Sequence, residues 1–168
     1  MKVLLSKLLL ANICLSVKYI HIVGYNVVTS LQTDIPQYSF SRKVFQMHSC
    51  NKTHYTLITN LKNYTYQLDE NNLSCSTVLP SIEKDHIVSF HYQYNSCQNI
   101  MGRTLMIRDK CIIRHRLIGF NSYIIDKELN VIDYYNNTCE KEIQKYKLRK
   151  GWCYNADINT PFIISKYI

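Results

Sequence analysis

Tyr55-Thr-Leu-Ile-Thr59 and Tyr64-Thr-Tyr-Gln-Leu68, separated by a polar link containing Lys62-Asn63, decide the fold class. Both runs are rich in β-branched and aromatic residues, which suit a pleated, half-buried surface. Two such runs around a polar link read as a β-hairpin. The pattern recurs on either side. Residues 17–28 alternate, with Tyr19, His21 and Val23 opposite Ile20 and Ile22, and read as a single strand. Residues 86–92, 104–107 and 111–118 read as further strands. Residues 122–125 and 131–135 flank Asp126-Lys-Glu-Leu-Asn130 as a second hairpin. Residues 161–168 begin on Pro161 and are expected to close the sheet as an edge strand. Residues 140–149 are the one segment open to a short helix instead. The expected fold is mainly β: a small disulfide-stabilised sandwich or barrel-like sheet.

Composition agrees. The 168 residues include 14 Tyr against 4 Gly and 3 Pro, and Ala occurs only at Ala11 and Ala156. Scarce Ala removes the best helix former. The frequent residue types are those of A/T-rich codons, so the bias marks the genome more than the function. A hydrophobic share of 46% supports one buried core rather than a disordered chain. No Pro/Gly/Ser-rich linker divides the sequence.

The N-terminus reads as a secretory leader. Lys2 supplies the positive charge, and Leu4, Leu5, Leu8, Leu9, Leu10, Ile13 and Leu15 supply the apolar run, interrupted by Lys7. Cys14-Leu15-Ser16 places small residues where a signal peptidase reads them, giving a leader over 1–16 and one β-rich secreted domain over 17–168. The run is too short to span a bilayer, which takes about 20 apolar residues. No second long apolar stretch follows, so the expectation is release without a transmembrane anchor.

Cysteine parity points the same way. Of seven cysteines, Cys14 leaves with the leader; Cys50, Cys75, Cys97, Cys111, Cys139 and Cys153 remain, an even set suited to disulfides in an oxidising compartment. No close C-x-x-C pair favours zinc. His86 and His91 sit in an apolar run and read as strand residues, and no metal site or cofactor motif is expected. Asn51-Lys-Thr53, Asn63-Tyr-Thr65, Asn72-Leu-Ser74 and Asn136-Asn-Thr138 are N-glycosylation acceptors, a mild excess over chance in a chain rich in Asn, Ser and Thr.

Sequence alone leaves the disulfide map open, but one spacing suggests a solution. Cys97 and Cys111 lie 14 residues apart, as do Cys139 and Cys153, and Tyr92-x-x-Asn95-Ser-Cys97 aligns with Tyr134-x-x-Asn137-Thr-Cys139. If these are two related lobes, Cys97 pairs with Cys111, Cys139 with Cys153, and Cys50 with Cys75 by exclusion. The stretch Val131-Ile-Asp-Tyr-Tyr-Asn-Asn-Thr-Cys139 up to Cys153 resembles the Tyr-containing cysteine units of small secreted proteins from AT-rich eukaryotes such as social amoebae. That resemblance covers the second half of the chain and implies export, with no activity attached. The general profile is also similar to that of poxvirus secreted glycoproteins, which implies a virus-encoded immune-modulating glycoprotein as an alternative.

Chemistry is harder to find. G-x-S-x-G, H-E-x-x-H, P-loop and dinucleotide patterns are all absent, so the chain does not read as an enzyme. The main enzymatic alternative is a small basic secreted hydrolase such as a ribonuclease, drawing on His48, His54, His86, His91, His115 and Lys52. No flanking motif joins any two of them. Charge offers more. There are 20 Lys+Arg against 12 Asp+Glu, and without Lys2 and Lys7 the remainder is 18 against 12, a net +6. Arg103, Arg108, Arg114 and Arg116 crowd one segment; Lys145, Lys147, Arg149 and Lys150 crowd another, beside Trp152 and Tyr154. Such clusters form either a solvated outer face or a polyanion site. If the lobes are related, Arg103 and Arg108 are equivalent to Lys145 and Lys150 and sum with them into one positive surface. The expected function is therefore that of a secreted, N-glycosylated, disulfide-bonded interaction domain for an extracellular partner, with anionic glycans the first ligand class and nucleic acid ranked below them.

Overall fold

The computed structural model describes residues 18–39, 44–69, 71–92, 97, 99–113, 122–154 and 162–167. The leader over 1–16, Asn95, His115, and Arg114 and Arg116 lie outside the described residues. Among the described residues the chain forms strands and no helix. The first hairpin is β1 (Tyr19–Gly24) and β2 (Val27–Gln32). A meander follows: β3 (Pro36–Ser39), β4 (Val44–Cys50), β5 (His54–Thr59) and β6 (Asn63–Gln67). Next come β7 (Leu73–Ser76), β8 (His86–Tyr92) and β9 (Ile100–Ile107). A second meander is β10 (Ile112–Ile113), β11 (Ser122–Ile125), β12 (Asn130–Tyr134) and β13 (Glu142–Lys147). β14 (Cys153–Tyr154) and β15 (Phe162–Tyr167) end the chain.

These strands build three antiparallel sheets. The central sheet has the order β14-β15-β8-β9-β2-β1-β7, and each meander is a four-stranded sheet of its own, β3 to β6 and β10 to β13. The register of the central sheet sorts its side chains onto two faces. Ile22, Thr29, Thr104 and Ser89 are successive cross-strand neighbours on one face; His21, Ser30, Arg103 and Phe90 form the corresponding row on the other.

Both meanders pack on the first of these faces. Val27, Ile87 and Met106 meet Ile112, Tyr123, Ile125, Leu129, Val131 and Leu148 of the β10–β13 side. Ile20, Ile22, Leu31 and Leu73 meet Tyr55, Leu57, Tyr66 and Leu68 of the β3–β6 side. Burying aliphatic side chains of this kind contributes about 1.5–3 kcal/mol each. A polar row separates the two clusters. Thr29 and Thr104 hydroxyls lie 2.9 Å apart, and His91 Nε2 lies 2.6 Å from Thr104 Oγ1. These buried groups satisfy one another, as burial requires.

The structure confirms the mainly β, disulfide-stabilised fold and corrects several details. Residues 17–28 are not one strand. The chain reverses at Tyr25-Asn26, where Asn26 takes φ 60° and its side chain donates to Cys111 O at 2.8 Å. Asn tolerates this left-handed conformation where most side chains do not. Residues 140–149 hold no helix: Glu142–Lys147 is β13, whose ladder with β12 fixes Ile132 opposite Lys145 and Val131 opposite Tyr146. The last strand is one place in from the edge. β15 pairs with β8 on one side and with the two-residue β14 on the other.

The disulfide map is also different from the spacing-based one. Cys50–Cys75 forms as expected, with Cα atoms 6.5 Å apart. The other two bonds are Cys97–Cys153 and Cys111–Cys139, with Cα separations of 6.0 and 5.9 Å. Strand order explains the exchange. β14 reaches β8 through β15, so Cys153 returns to the β8–β9 connection that carries Cys97. Cys111 enters the second meander and meets Cys139 in the β12–β13 connection. The 14-residue repeat is therefore not a structural unit.

Candidate functional site

The β10–β13 sheet ends in a basic, partly apolar depression. Its floor begins with the β11–β12 loop. Asp126 Oδ1 accepts from the backbone N–H of Glu128 and of Asn130, and Oδ2 accepts from Asn130 Nδ2 at 2.7 Å. Burial pulls the Asp126 carboxyl upward, but those hydrogen bonds, with the charge of Lys145 nearby, outweigh it and hold the group below its ordinary value. This arrangement fixes Leu129 at φ 65° with its side chain buried. Leu148, just beyond β13, donates its N–H to Leu129 O at 2.8 Å and is buried beside it.

The rim is charged. After Leu148 the chain turns through Arg149, Lys150 and Gly151, and Trp152 N donates to Arg149 O at 3.2 Å. Gly151 sits at φ 72°, the left-handed third position that a type II turn reserves for glycine. The turn places the Arg149 guanidinium 5.5 Å from the Trp152 ring centroid, a cation–π contact, while Trp152 as a whole residue stays 56% exposed. Cys153 follows at once and is held by Cys97. Leu148 on one side and Cys153 on the other thus anchor the turn. Glu128, Leu129, Lys147, Leu148, Arg149 and Lys150 line the depression, whose volume is about 620 Å³. Lys145 and Lys147 project from β13, an edge strand exposed along its whole length.

The structure keeps Lys145, Lys147, Arg149 and Lys150 on one meander and its following turn. It does not add Arg103 to them. Arg103 lies on the face of the central sheet turned away from both meanders, and its guanidinium donates to Pro80 O. Arg108 pairs with Asp109 at 3.4 Å in the turn after β9. The expected four-residue surface of Arg103, Arg108, Lys145 and Lys150 is therefore split, because alternation along β9 puts Arg103 on the far side.

The histidines are dispersed. His86 and His91 are five residues apart on β8, an odd separation that puts them on opposite faces. His48 is buried, shares a 2.7 Å hydrogen bond with Tyr55 Oη, and is pushed down to about 4 by that burial. Burial lowers His21 as well, with Arg103 adding to the effect against an opposing backbone contact from Val78; its Nδ1 lies 2.8 Å from Ser30 Oγ. His54 is exposed, with Nδ1 2.8 Å from Thr53 Oγ1.

The sequon asparagines are unevenly distributed. Asn51 follows β4, Asn63 opens β6 and Asn72 sits in the turn before β7, all exposed. Asn51 Oδ1 accepts from the backbone N–H groups of Thr53 and His54. Asn136 is half-buried in the β12–β13 connection, where its carbonyl accepts from Ser122 Oγ and its side-chain oxygen from Glu140 N. The Leu129–Leu148 floor was not visible in the sequence, since it depends on a contact between separate strands, whereas the Arg149–Trp152 turn had a local signal in Gly151. Among the described residues, no helix is long and apolar enough to cross a membrane. Compared with protein-family models, curated proteins and solved structures, the chain shows no significant match.

Proposed function

We infer that this chain is an exported, N-glycosylated interaction domain, held by disulfides and acting through its surface rather than by catalysis. The observation that carries the reading is the complete pairing of the six cysteines left after the expected leader. Such pairing belongs to oxidising compartments. The three bonds join segments 25, 56 and 28 residues apart, and together they tie the central sheet to itself, to the first meander, and the second meander within itself. Export also gives the sequons a use. Asn51 and Asn63 lie on the first meander and Asn72 in the turn leading to β7, all exposed, whereas Asn136 on the second meander is half-buried.

The test is expression of the full chain in a eukaryotic secretory host. The product is expected in the medium, beginning near Val17 and shortened in apparent mass by an endoglycosidase. Substituting Gln at Asn51, Asn63 and Asn72 is expected to remove most of that shift. Retention of an unmodified, reduced product in the cytosol overturns the reading.

A further inference from the structure

We propose that the depression between Leu129, Leu148 and the Arg149–Trp152 turn binds a sulfated or carboxylated sugar, with the exposed face of Trp152 taking the ring and Lys147 and Lys150 taking the anionic group. The chemistry follows from what lines the site. Leu129 and Leu148 give an apolar floor, and Lys147, Arg149 and Lys150 give a basic rim. Trp152 stands just outside that lining, in cation–π contact with the rim residue Arg149 and more than half exposed, so a ligand that extends past the rim can meet its ring. Glu128 adds an acceptor at the same rim. A carboxylate, Glu128, shares the rim with three cations. It favours a ligand that brings hydroxyl donors along with its charge, as an acidic sugar does. The cavity of about 620 Å³ falls within the ordinary range for small-ligand sites, about 300–1,000 Å³.

Preorganisation supports the assignment. The turn is fixed by the buried Leu148, by Gly151 and by the Cys97–Cys153 bond, so a ligand need not order it on binding. A lipid surface fits less well, because Trp152 is the only large apolar side chain this turn exposes and the charged groups surround a hollow rather than a projection. The proposal rests on the export reading only for where such a ligand would be met.

Trp152 is the chain's only tryptophan, so its emission reports on this site alone. Purified, oxidised protein is titrated with a heparin-derived tetrasaccharide while that emission is followed. A saturable change is expected, with a midpoint that rises with salt, since exposed charges are screened over about 8–10 Å at ordinary ionic strength. The Lys147→Ser/Lys150→Ser double variant is expected to weaken the midpoint about tenfold, a loss of about 1.4 kcal/mol. A Lys52→Ser/Lys62→Ser variant of the other meander is expected to titrate like the parent. Trp152→Ala, followed by calorimetry, is expected to lose affinity while keeping its melting temperature. No emission change, or an equal response to neutral maltotetraose, overturns the proposal. So does a response confined to phosphatidylglycerol vesicles or to a single-stranded DNA oligomer, which would reassign the site to that ligand. Because the titration uses purified protein, its failure leaves export standing, and failed export leaves a positive titration standing.

Discussion

The two meanders are built alike and buried differently. Each is a four-stranded antiparallel sheet, and each covers one end of the same face of the central sheet. The β10–β13 sheet presents aliphatic side chains to the interface: Ile112, Ile125, Leu129, Val131 and Leu148, with Tyr123 among them. The β3–β6 sheet presents Tyr55 and Tyr66, stacked with ring centroids 5.8 Å apart, and buries His48 beside them. Their attachments differ as well. The first meander is bonded to the central sheet through Cys50–Cys75. The second is linked through backbone, with Tyr25 and Ile113 exchanging hydrogen bonds at 3.0 and 3.1 Å, and carries its own Cys111–Cys139 bond. The same architecture thus yields one side that buries a histidine and one side whose exposed edge is basic.

The largest expected effect comes from the disulfides. In the chain-entropy model, loops of 25 and 28 residues are each worth about 3.5 kcal/mol. Cys50→Ser/Cys75→Ser and Cys111→Ser/Cys139→Ser should therefore lower global stability by similar amounts in denaturant melts. Their local effects should diverge. Native-state hydrogen exchange is expected to show β4–β6 opening independently in the first variant, because only that bond crosses between sheets. If both variants open the same strands, the difference in attachment has no mechanical meaning.

Acid should separate the meanders next. His48 carries a folded-state value of about 4 against an ordinary 6.5. Above pH 6.5 the ring is neutral in both folded and unfolded chains and contributes no pH dependence. As pH falls below 6.5 the unfolded chain takes up the proton first, so stability is lost progressively until the folded form also protonates near pH 4. The expected loss by pH 4.5 is about 2–3 kcal/mol. His21 shifts in the same direction and adds to it. His48→Gln, melted across this window, should flatten most of the slope. An unchanged slope would move the acid sensitivity away from the β3–β6 side. At neutral pH, Tyr55→Phe probes the same pair by leaving His48 buried without its phenol partner, at an expected cost of about 1–3 kcal/mol.

These contrasts also show what the sequence made legible. Residues 86–92 and 122–125 became β8 and β11 at both ends, and the hairpin of 55–68 became β5 and β6, because period-2 patterning was bounded there by polar residues. The first hairpin had a local signal in Gly24 and Asn26, both turn-forming residues, but the imperfect alternation of apolar residues on either side of them made 17–28 read as one strand. Glu142–Lys147 looked open to a helix because Glu, Gln and Lys are good helix formers; the β12 ladder overrode that preference. The cysteine spacing misled for a different reason. Equal intervals along a chain carry no information about strand order, and it is the β14-β15-β8 order that brings Cys153 to Cys97. Lys145, Lys147, Arg149 and Lys150 could be picked out by charge alone. Their floor could not, because Leu129 and Leu148 are 19 positions apart and meet through one backbone hydrogen bond.

A smaller effect is expected at the turn that shapes the basic side. A methyl group added at Gly151 would meet nothing within 4 Å, so Gly151→Ala isolates the cost of the backbone conformation from any steric clash. At φ 72° that cost is about 1–2 kcal/mol for a residue with a Cβ. The variant should melt slightly earlier and show altered Trp152 emission without ligand. A parent-like spectrum would mean that the turn is set by its two anchors rather than by its glycine.

The smallest expected effect bears on whether the basic strand belongs to the fold at all. Every residue of β13 is exposed, Lys145 and Lys147 included, and the strand has a neighbour on one side only. Lysines on an exposed edge discourage pairing with other chains and add little to stability. Lys145→Ser/Lys147→Ser should therefore shift unfolding free energy by less than about 0.5 kcal/mol, against the several kcal/mol expected from altering the buried pair or the cross-sheet bond. Removing the two charges should instead appear in self-association, followed by sedimentation at rising concentration, as the edge loses part of its protection. A large loss of stability in the monomer would show that these lysines hold β13 in place, through the field at Asp126 or otherwise. The distinction between a side that carries stability and a side that carries charge would then fail at the strand where it is drawn most sharply.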